Sequence, residues 1–480
     1  MSVRVRFAPS PTGFLHIGNA RACLYNYLFA KKMGGSLILR VEDTDLERSK
    51  KKFEDSMVED LKWLGIEFDE SPSSPGSFGP YRQSERTEIY KRHALELLES
   101  GKAFYCFCTD EELEKMREKA ISEGRDPIYD GTWRDFPLDE AKRKVEAGEP
   151  AVIRFKVPQK SFSFKDKVRG EINFPEGMVG DFVILRSNGM PTYNFCCVVD
   201  DALMEITHVI RGEDHLNNTV RQLMIYEAFN FTIPVFAHVS LLIGEDRQKL
   251  SKRHGATSVI QYREDCFLAE SLSNYLCLLG WSHPEERDVF SMEEATENFT
   301  LDRFTKAPAL YDTKKLEWMN GQHLKSLQEP ELRKHIESCS ELSERFSKHD
   351  KQWVDTFLEI FLEKVQKVTE LINFYDFSMS ENVELGSDEQ DVLTWETTPK
   401  ILSFLVEEIG KVDSDQVDAE TFSAWMSTLK KEFKIKGKPL FMGVRVCLTG
   451  ACHGGDLTKL IPLIKKETLK SRLKFLSKTD

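Results

Sequence analysis

The first forty residues constrain this chain more than any other stretch. Val3 to Ala8 reads as a strand, and Pro9 and Pro11, neither able to donate to a ladder, end it. Gly13 follows, and the next apolar residues recur at helical spacing, predicting an amphipathic helix near Asn19 to Met33. A second strand, Ser36 to Val41, comes directly after. Strand, turn, helix and strand in so short a span is a βαβ unit, which builds an α/β fold with a doubly wound parallel sheet. The ligands of such a sheet bind beyond the carboxyl ends of its strands. Two polar segments fall at those ends here: Pro9-Ser10-Pro11-Thr12-Gly13 and Glu42-Asp43-Thr44-Asp45.

At 480 residues the chain exceeds the roughly 100 to 200 of one domain, so several packed units are expected. A hydrophobic share of 40% against 30% charged residues suits buried cores and excludes a disordered chain. Between about Thr87 and Gly189 charged helices (Thr109 to Gly124, Leu138 to Gly148) alternate with short strands such as Ala151 to Val157, as in an inserted domain. Strand-like runs resume at Phe182 to Arg186, Ile206 to Arg211 and Val235 to Leu242 and return the chain to the sheet. After Asp312 the pattern turns helical, with Phe357, Phe361, Val365, Val368 and Ile372 recurring every three or four residues.

The amino terminus lacks an apolar signal core, and no later run approaches the ~18 apolar residues of a membrane span, so a cytoplasmic protein is expected. Ten cysteines are too dilute for a disulfide scaffold, and reduced thiols are the default. The net charge of −13 argues against a nucleic-acid ligand, but it is unevenly spread. From Lys430 onward 13 Lys and Arg face 4 Asp and Glu, leaving −22 on the remainder. Such a basic end is either a dock for a polyanion or a solvated face.

Two constellations carry chemistry. In the segment from Pro9 to Asn19, His16 and Gly18 stand where a helix begins, and Ser10 stands just before. Helix N-termini favour negative charge, a glycine admits a phosphate closely, and an imidazole can donate to it. A helix cap or a packed side chain is the alternative for His16. The second, Lys249-Leu250-Ser251-Lys252-Arg253-His254-Gly255, sets three cations and a glycine in a loop after a strand, suited to neutralising a departing pyrophosphate; an exposed basic turn is the alternative.

The pair, in this order and flanking two halves of one sheet, resembles the two signatures of the class I aminoacyl-tRNA synthetases. The resemblance continues through Val41 to Asp45, Gly79 to Ser84, Pro191 to Phe195, Ile210 to His215 and Trp318 to Gly321, segments similar to the bacterial-type glutamyl-tRNA synthetases. The basic tail, with Gly437 to Met442 and Leu448 to Gly450, is similar to the end of that form. The resemblance implies a Rossmann-like catalytic domain in two parts, 1-86 and 190-255, interrupted at 87-189 by a domain for the tRNA acceptor end. A stem-contact helical domain at 256-328 and an all-helical anticodon-binding region at 329-480 follow.

The family's reaction activates L-glutamate with ATP as an adenylate, releasing pyrophosphate, and passes the glutamyl group to tRNA(Glu). Carried over, the resemblance assigns ATP to Ser10, His16, Gly18, Asp214, Lys249, Ser251 and Lys252, with His16, Lys249 and Lys252 as the catalytic groups. Mg²⁺ is expected with ATP, bridging phosphate oxygens. A glutamate pocket must meet one ammonium and two carboxylates. Glu42 is the expected partner of the ammonium, Arg6 and Tyr193 are carboxylate ligands, and Arg211 reads the side-chain carboxylate, which favours glutamate over glutamine. A structural ion pair is the alternative at each position.

Relatives often bind zinc with two cysteine-containing pairs. Here Cys106 and Cys108 are present, but Trp133 and Asp135 replace the second pair, so structural zinc is not expected. Aromatics on the basic tail are expected to stack on anticodon bases, with Phe433 and Phe441 reading as core. Other readings are a form that also charges tRNA(Gln), a glutaminyl-tRNA synthetase, a small-molecule nucleotidyltransferase and an inactive tRNA-binding module. A monomer is the family's implication.

Overall fold

The computed structural model describes residues 2–478 except 46, 252, 254 and 256. The chain packs as two compact units, Met1–Arg263 with Ala269–Leu316, and Glu264–Leu268 with Glu317–Asp480. Among the described residues no helix is long and apolar enough to cross a membrane.

In the first unit β1 (Arg4–Phe7) pairs in parallel with β2 (Ser36–Leu39), Arg4 opposite Ser36 and Phe7 opposite Leu39. The connection is the helix Ile17–Lys32, which completes the βαβ unit. This helix starts earlier than the apolar pattern indicates and is not amphipathic. Ile17, Ala20, Cys23, Leu24, Tyr25, Leu28 and Phe29 are all buried, because the sheet covers one side and the helices Ala269–Leu278 and Met292–Asn298 the other. Gly35 is required at the helix-to-strand turn: a Cβ there would stand 2.3 Å from the Val3 carbonyl oxygen.

Between the sheet's halves, β3 (Ala103–Cys106), β4 (Val152–Phe155) and β7 (Phe182–Leu185) form an antiparallel sheet, and β5 (Phe162–Asp166) and β6 (Gly170–Phe174) a hairpin. The helix Asp110–Ser122 in this region starts with a capping box of Thr109 and Glu112. The parallel sheet then resumes with β8 (His208–Gly212) beside β9 (Val235–Val239). The Thr207 amide donates to the Arg4 carbonyl (2.9 Å) and ties β8 to β1. The run expected from Val235 to Leu242 breaks after Val239, and the short β10 (Leu242–Ile243) pairs instead with β11 (Ala309–Leu310).

The second unit is helical around one core that includes Leu324, Phe357, Phe361, Val365, Ile401 and Leu469. The periodic run from Phe357 to Ile372 is not one helix. Lys351–Phe361 and Leu371–Met379 are separated by a bend, where the Gln366 carbonyl accepts from Asn320 Nδ2 (2.6 Å) instead of closing a helical turn. Reduced thiols throughout were expected, yet Cys266 and Cys339 are disulfide-bonded with Cα atoms 6.0 Å apart. They lie 73 residues apart, and only the packing of the Glu329–Ser338 helix end brings them together.

Candidate active site

The site lies at the carboxyl ends of β1 and β8. A cavity of about 700 Å³ is lined there by Arg6, Ser10, His16, Gly18, Glu42, Tyr193, Arg211, Asp214 and Lys249, all singled out from the sequence. Ser251, expected with them, lies beyond Leu250 and does not line it. Lys252 lies outside the described residues.

Backbone pairing explains how segments more than 200 residues apart share one cavity. The Ile17 amide donates to the Thr257 carbonyl and the Val259 amide to the Leu15 carbonyl, each at 2.9 Å, so the chain just after the lysine loop runs antiparallel past His16. The loop itself folds back on its strand, where the Leu250 amide donates to the Leu242 carbonyl (2.9 Å).

His16 is both helix cap and cavity wall. Its Nδ1 accepts from the Gly18 amide (3.0 Å), which leaves Nε2 to carry the ring proton toward the cavity. Burial, and next the charge of Lys249, lower its pKa, so the ring is neutral near pH 7. Lys249 Nζ is 3.1 Å from Asp214 Oδ2, an exposed pair whose ammonium can exchange partners at little cost. Burial of Asp214 opposes its charge, but the hydrogen bond and charge of Lys249 together with His215 outweigh it and hold the carboxyl below the usual range.

Arg6 and Glu42, which line the cavity, belong to a buried ionic network behind it. Arg6 Nε donates to both Asp201 oxygens (3.1 and 3.3 Å), and Arg40 Nη1 donates to Asp201 Oδ1 (2.6 Å). Arg40 Nη2 donates to Glu42 Oε1 (3.1 Å), while Asp200 accepts from Arg86 Nε (2.7 Å) and the Tyr90 hydroxyl (2.8 Å). Burial raises the Glu42 pKa despite Arg40, a carboxylate short of compensating positive charge. An ammonium at the Glu42 edge of the cavity would supply it.

Sequence reasoning missed His215 and Asn218, which also line the cavity. The Tyr193 hydroxyl is 3.0 Å from His215 Nδ1, and burial, then the charge of Arg211, lower the His215 pKa to about 4. The signal was available: His215 closes the Ile210 to His215 segment, and Asn218 follows one helical turn later.

Elsewhere, Cys106 and Cys108 both point their sulfurs at the Tyr129 hydroxyl (3.7 and 4.0 Å), and the exposed Asp135 pairs with Lys156 (2.8 Å). Phe433 and Phe441, read as core, are 42% and 61% exposed. Phe441 lies off the face of the Lys438–Thr449 helix that buries Leu440, Val444 and Cys447.

Residues 2–318 match the family model for the catalytic domain of class I tRNA synthetases (E and Q), and residues 311–476 match an anticodon binding domain. The chain is 44% identical to glutamate–tRNA ligase 1 of Caldicellulosiruptor saccharolyticus, covering 99% of each protein. It is 43% identical to the glutamate–tRNA ligase of Bacillus subtilis over 98% of this chain and 99% of that one. Among solved structures, a glutamate tRNA ligase from Elizabethkingia meningosepticum, crystallised with its amino acid, superposes over 100% of both chains. Its TM-score is 0.90 and its identity 32%.

Proposed function

Since the chain belongs to the glutamate–tRNA ligase family of class I aminoacyl-tRNA synthetases, we propose that it attaches L-glutamate to tRNA(Glu) with ATP, through a glutamyl-adenylate formed in the cavity just described. The observation that carries the reading is one continuous cavity, with a phosphate-seeking imidazole and lysine at one end and an acid with two arginines at the other.

The reaction needs no protein nucleophile. A glutamate carboxylate oxygen attacks the ATP α-phosphorus, pyrophosphate leaves, and the tRNA terminal hydroxyl then displaces AMP from the adenylate. This chain's part is to position the reactants and neutralise charge. Glu42 takes the α-ammonium, Arg6 and Tyr193 hold the α-carboxylate, and Arg211 holds the side-chain carboxylate. Held thus, the nucleophilic oxygen faces the triphosphate bound by Ser10, His16 and Gly18. His16 donates from Nε2 to a phosphate oxygen, and Lys249 moves from Asp214 to the departing pyrophosphate, with Lys252 as its partner in that role. Mg²⁺ would arrive with the triphosphate and share its charge.

The domains are read as expected from the sequence. The segment 87-189 meets the acceptor end, 256-328 the stem and 329-480 the anticodon, where Phe433 and Phe441 offer exposed faces. The enzyme is read as a cytoplasmic monomer. Aminoacylation with each purified tRNA and each amino acid tests the function. Glutamate-dependent, tRNA-supported pyrophosphate exchange is expected, and exchange that runs with glutamine in place of glutamate would overturn it. Charging of tRNA(Gln) beside tRNA(Glu) would widen the acceptor range.

A further inference from the structure

Arg211 on β8 stands in register with His238 on β9, and the two side chains meet on the same face of the sheet. His238 is fully buried. Its Nε2 is 3.1 Å from Arg211 Nε and 3.1 Å from Thr219 Oγ1, and its Nδ1 is 2.6 Å from Asp166 Oδ2. A guanidinium only donates, so His238 Nε2 must be the unprotonated nitrogen and the ring proton must sit on Nδ1, facing Asp166. Burial lowers the His238 pKa in spite of Asp166, which agrees with a neutral ring.

Asp166 ends β5, contributed by the hairpin between the two halves of the parallel sheet, and is itself buried. Its Oδ1 accepts from the amides of Val168 (2.9 Å) and Arg169 (2.8 Å), which fixes which oxygen faces the ring, and the His238 amide is shared between Oδ1 (3.2 Å) and Oδ2 (3.1 Å). On the far side Arg211 Nη2 donates to Thr219 Oγ1 (2.9 Å) and Gln222 Oε1 (2.7 Å). The buried Nη1 finds no partner among the described residues, and Arg211 lines the cavity. Thus Nε and Nη2 are spent on holding the guanidinium plane, and Nη1 is the donor left for a ligand.

We infer that Asp166 and His238 are positioning residues: the carboxylate sets the imidazole tautomer, and the imidazole accepts from Arg211 and aims its guanidinium at the acidic side chain of the substrate. The inference rests on the reading that Arg211 binds that carboxylate. Neither residue lines the cavity, so their effect is confined to the affinity for the amino acid.

The test is Asp166→Asn. The amides of Val168 and Arg169 keep an oxygen at the Oδ1 position, which also retains the His238 amide, so the new NH₂ must take the Oδ2 position and donate to Nδ1. The ring proton then moves to Nε2 and opposes the Arg211 Nε–H. The expected result in pyrophosphate exchange is a rise of roughly 10- to 100-fold in KM for glutamate with KM for ATP unmoved. His238→Gln offers a carbonyl oxygen where Nε2 stood and has no tautomer to misplace, so adding it to D166N should return the glutamate KM toward the parent value. Should D166N not fold, His238→Asn, which reaches Asp166 but not Arg211, is expected to raise the glutamate KM alike. A D166N enzyme with glutamate KM within about threefold of the parent, or a D166N defect equally large in the H238Q background, overturns the relay. Arg211→Gln separates the two levels. If R211Q leaves the glutamate KM unchanged, the reading of Arg211 fails; if R211Q raises it while D166N does not, only the relay fails.

Discussion

Replacing Glu42 by glutamine changes one charge and almost no volume at the proposed ammonium site. The ionised carboxylate is 5% exposed and accepts from Arg40 (3.1 Å), while Arg40 is independently held by Asp201 (2.6 Å), so the network keeps its shape without the Glu42 charge. A substrate ammonium would lose a charge-assisted hydrogen bond in a buried setting, worth about 1.5 to 3 kcal/mol, or roughly 10- to 150-fold in kcat/KM for glutamate. The amide oxygen still accepts, which favours the lower half of that range.

Stability should move the other way. Burial raises the folded Glu42 pKa above its unfolded value, so the ionised group destabilises the native state at pH 7, and E42Q should melt at or above the parent temperature. The difference should narrow as pH falls through the folded pKa toward the ordinary carboxylate range, because native parent protein then gains a proton that the unfolded chain does not yet bind. Pyrophosphate exchange at varied glutamate and ATP, with thermal melts at two pH values, measures both. A glutamate kcat/KM within threefold of the parent, or an equal loss against ATP, would refute the assignment of Glu42 to the ammonium.

Three further outcomes are expected. Lys249→Ala should slow pyrophosphate exchange by about 10²- to 10³-fold, as loss of a charge-stabilising donor does, while denaturant melts shift by under about 1 kcal/mol because the Asp214 pair is exposed. Phe441→Ala should weaken tRNA binding by about 1 to 3 kcal/mol if its exposed ring stacks on a base, leaving the KM of glutamate and ATP unchanged; a filter-binding titration reads it. With a folded pKa near 4, the neutral His215 contributes stability that is present above pH ~6.5 and lost as pH falls toward 4, where the unfolded chain takes up the proton first. Denaturant midpoints at pH 7.5 and 5.5 should therefore fall further for the parent than for His215→Asn.

What the order of residues settled without any fold is local. Strand Arg4–Phe7, its closing prolines and the helix-to-strand return need only short-range sterics and apolar periodicity, and they alone place Ser10 and Glu42 just beyond strand ends and His16 at the helix start. The lysine loop after Leu242 was legible for the same reason. Distance in sequence defeated the rest. That Thr257 and Val259 run beside His16, that Asp166 reaches His238 across 72 positions, and that Arg211 lies opposite His238 are facts of strand register. Register follows from which faces bury together, and no single strand carries that information. The buried circumference of the Ile17–Lys32 helix, the exposed ring of Phe441 and the Cys266–Cys339 bond were decided in the same way, by neighbours that only the assembled chain supplies. Sequence names the groups a reaction requires. Tertiary packing determines which nitrogen of an imidazole holds its proton, and hence which edge of an arginine is presented to the substrate.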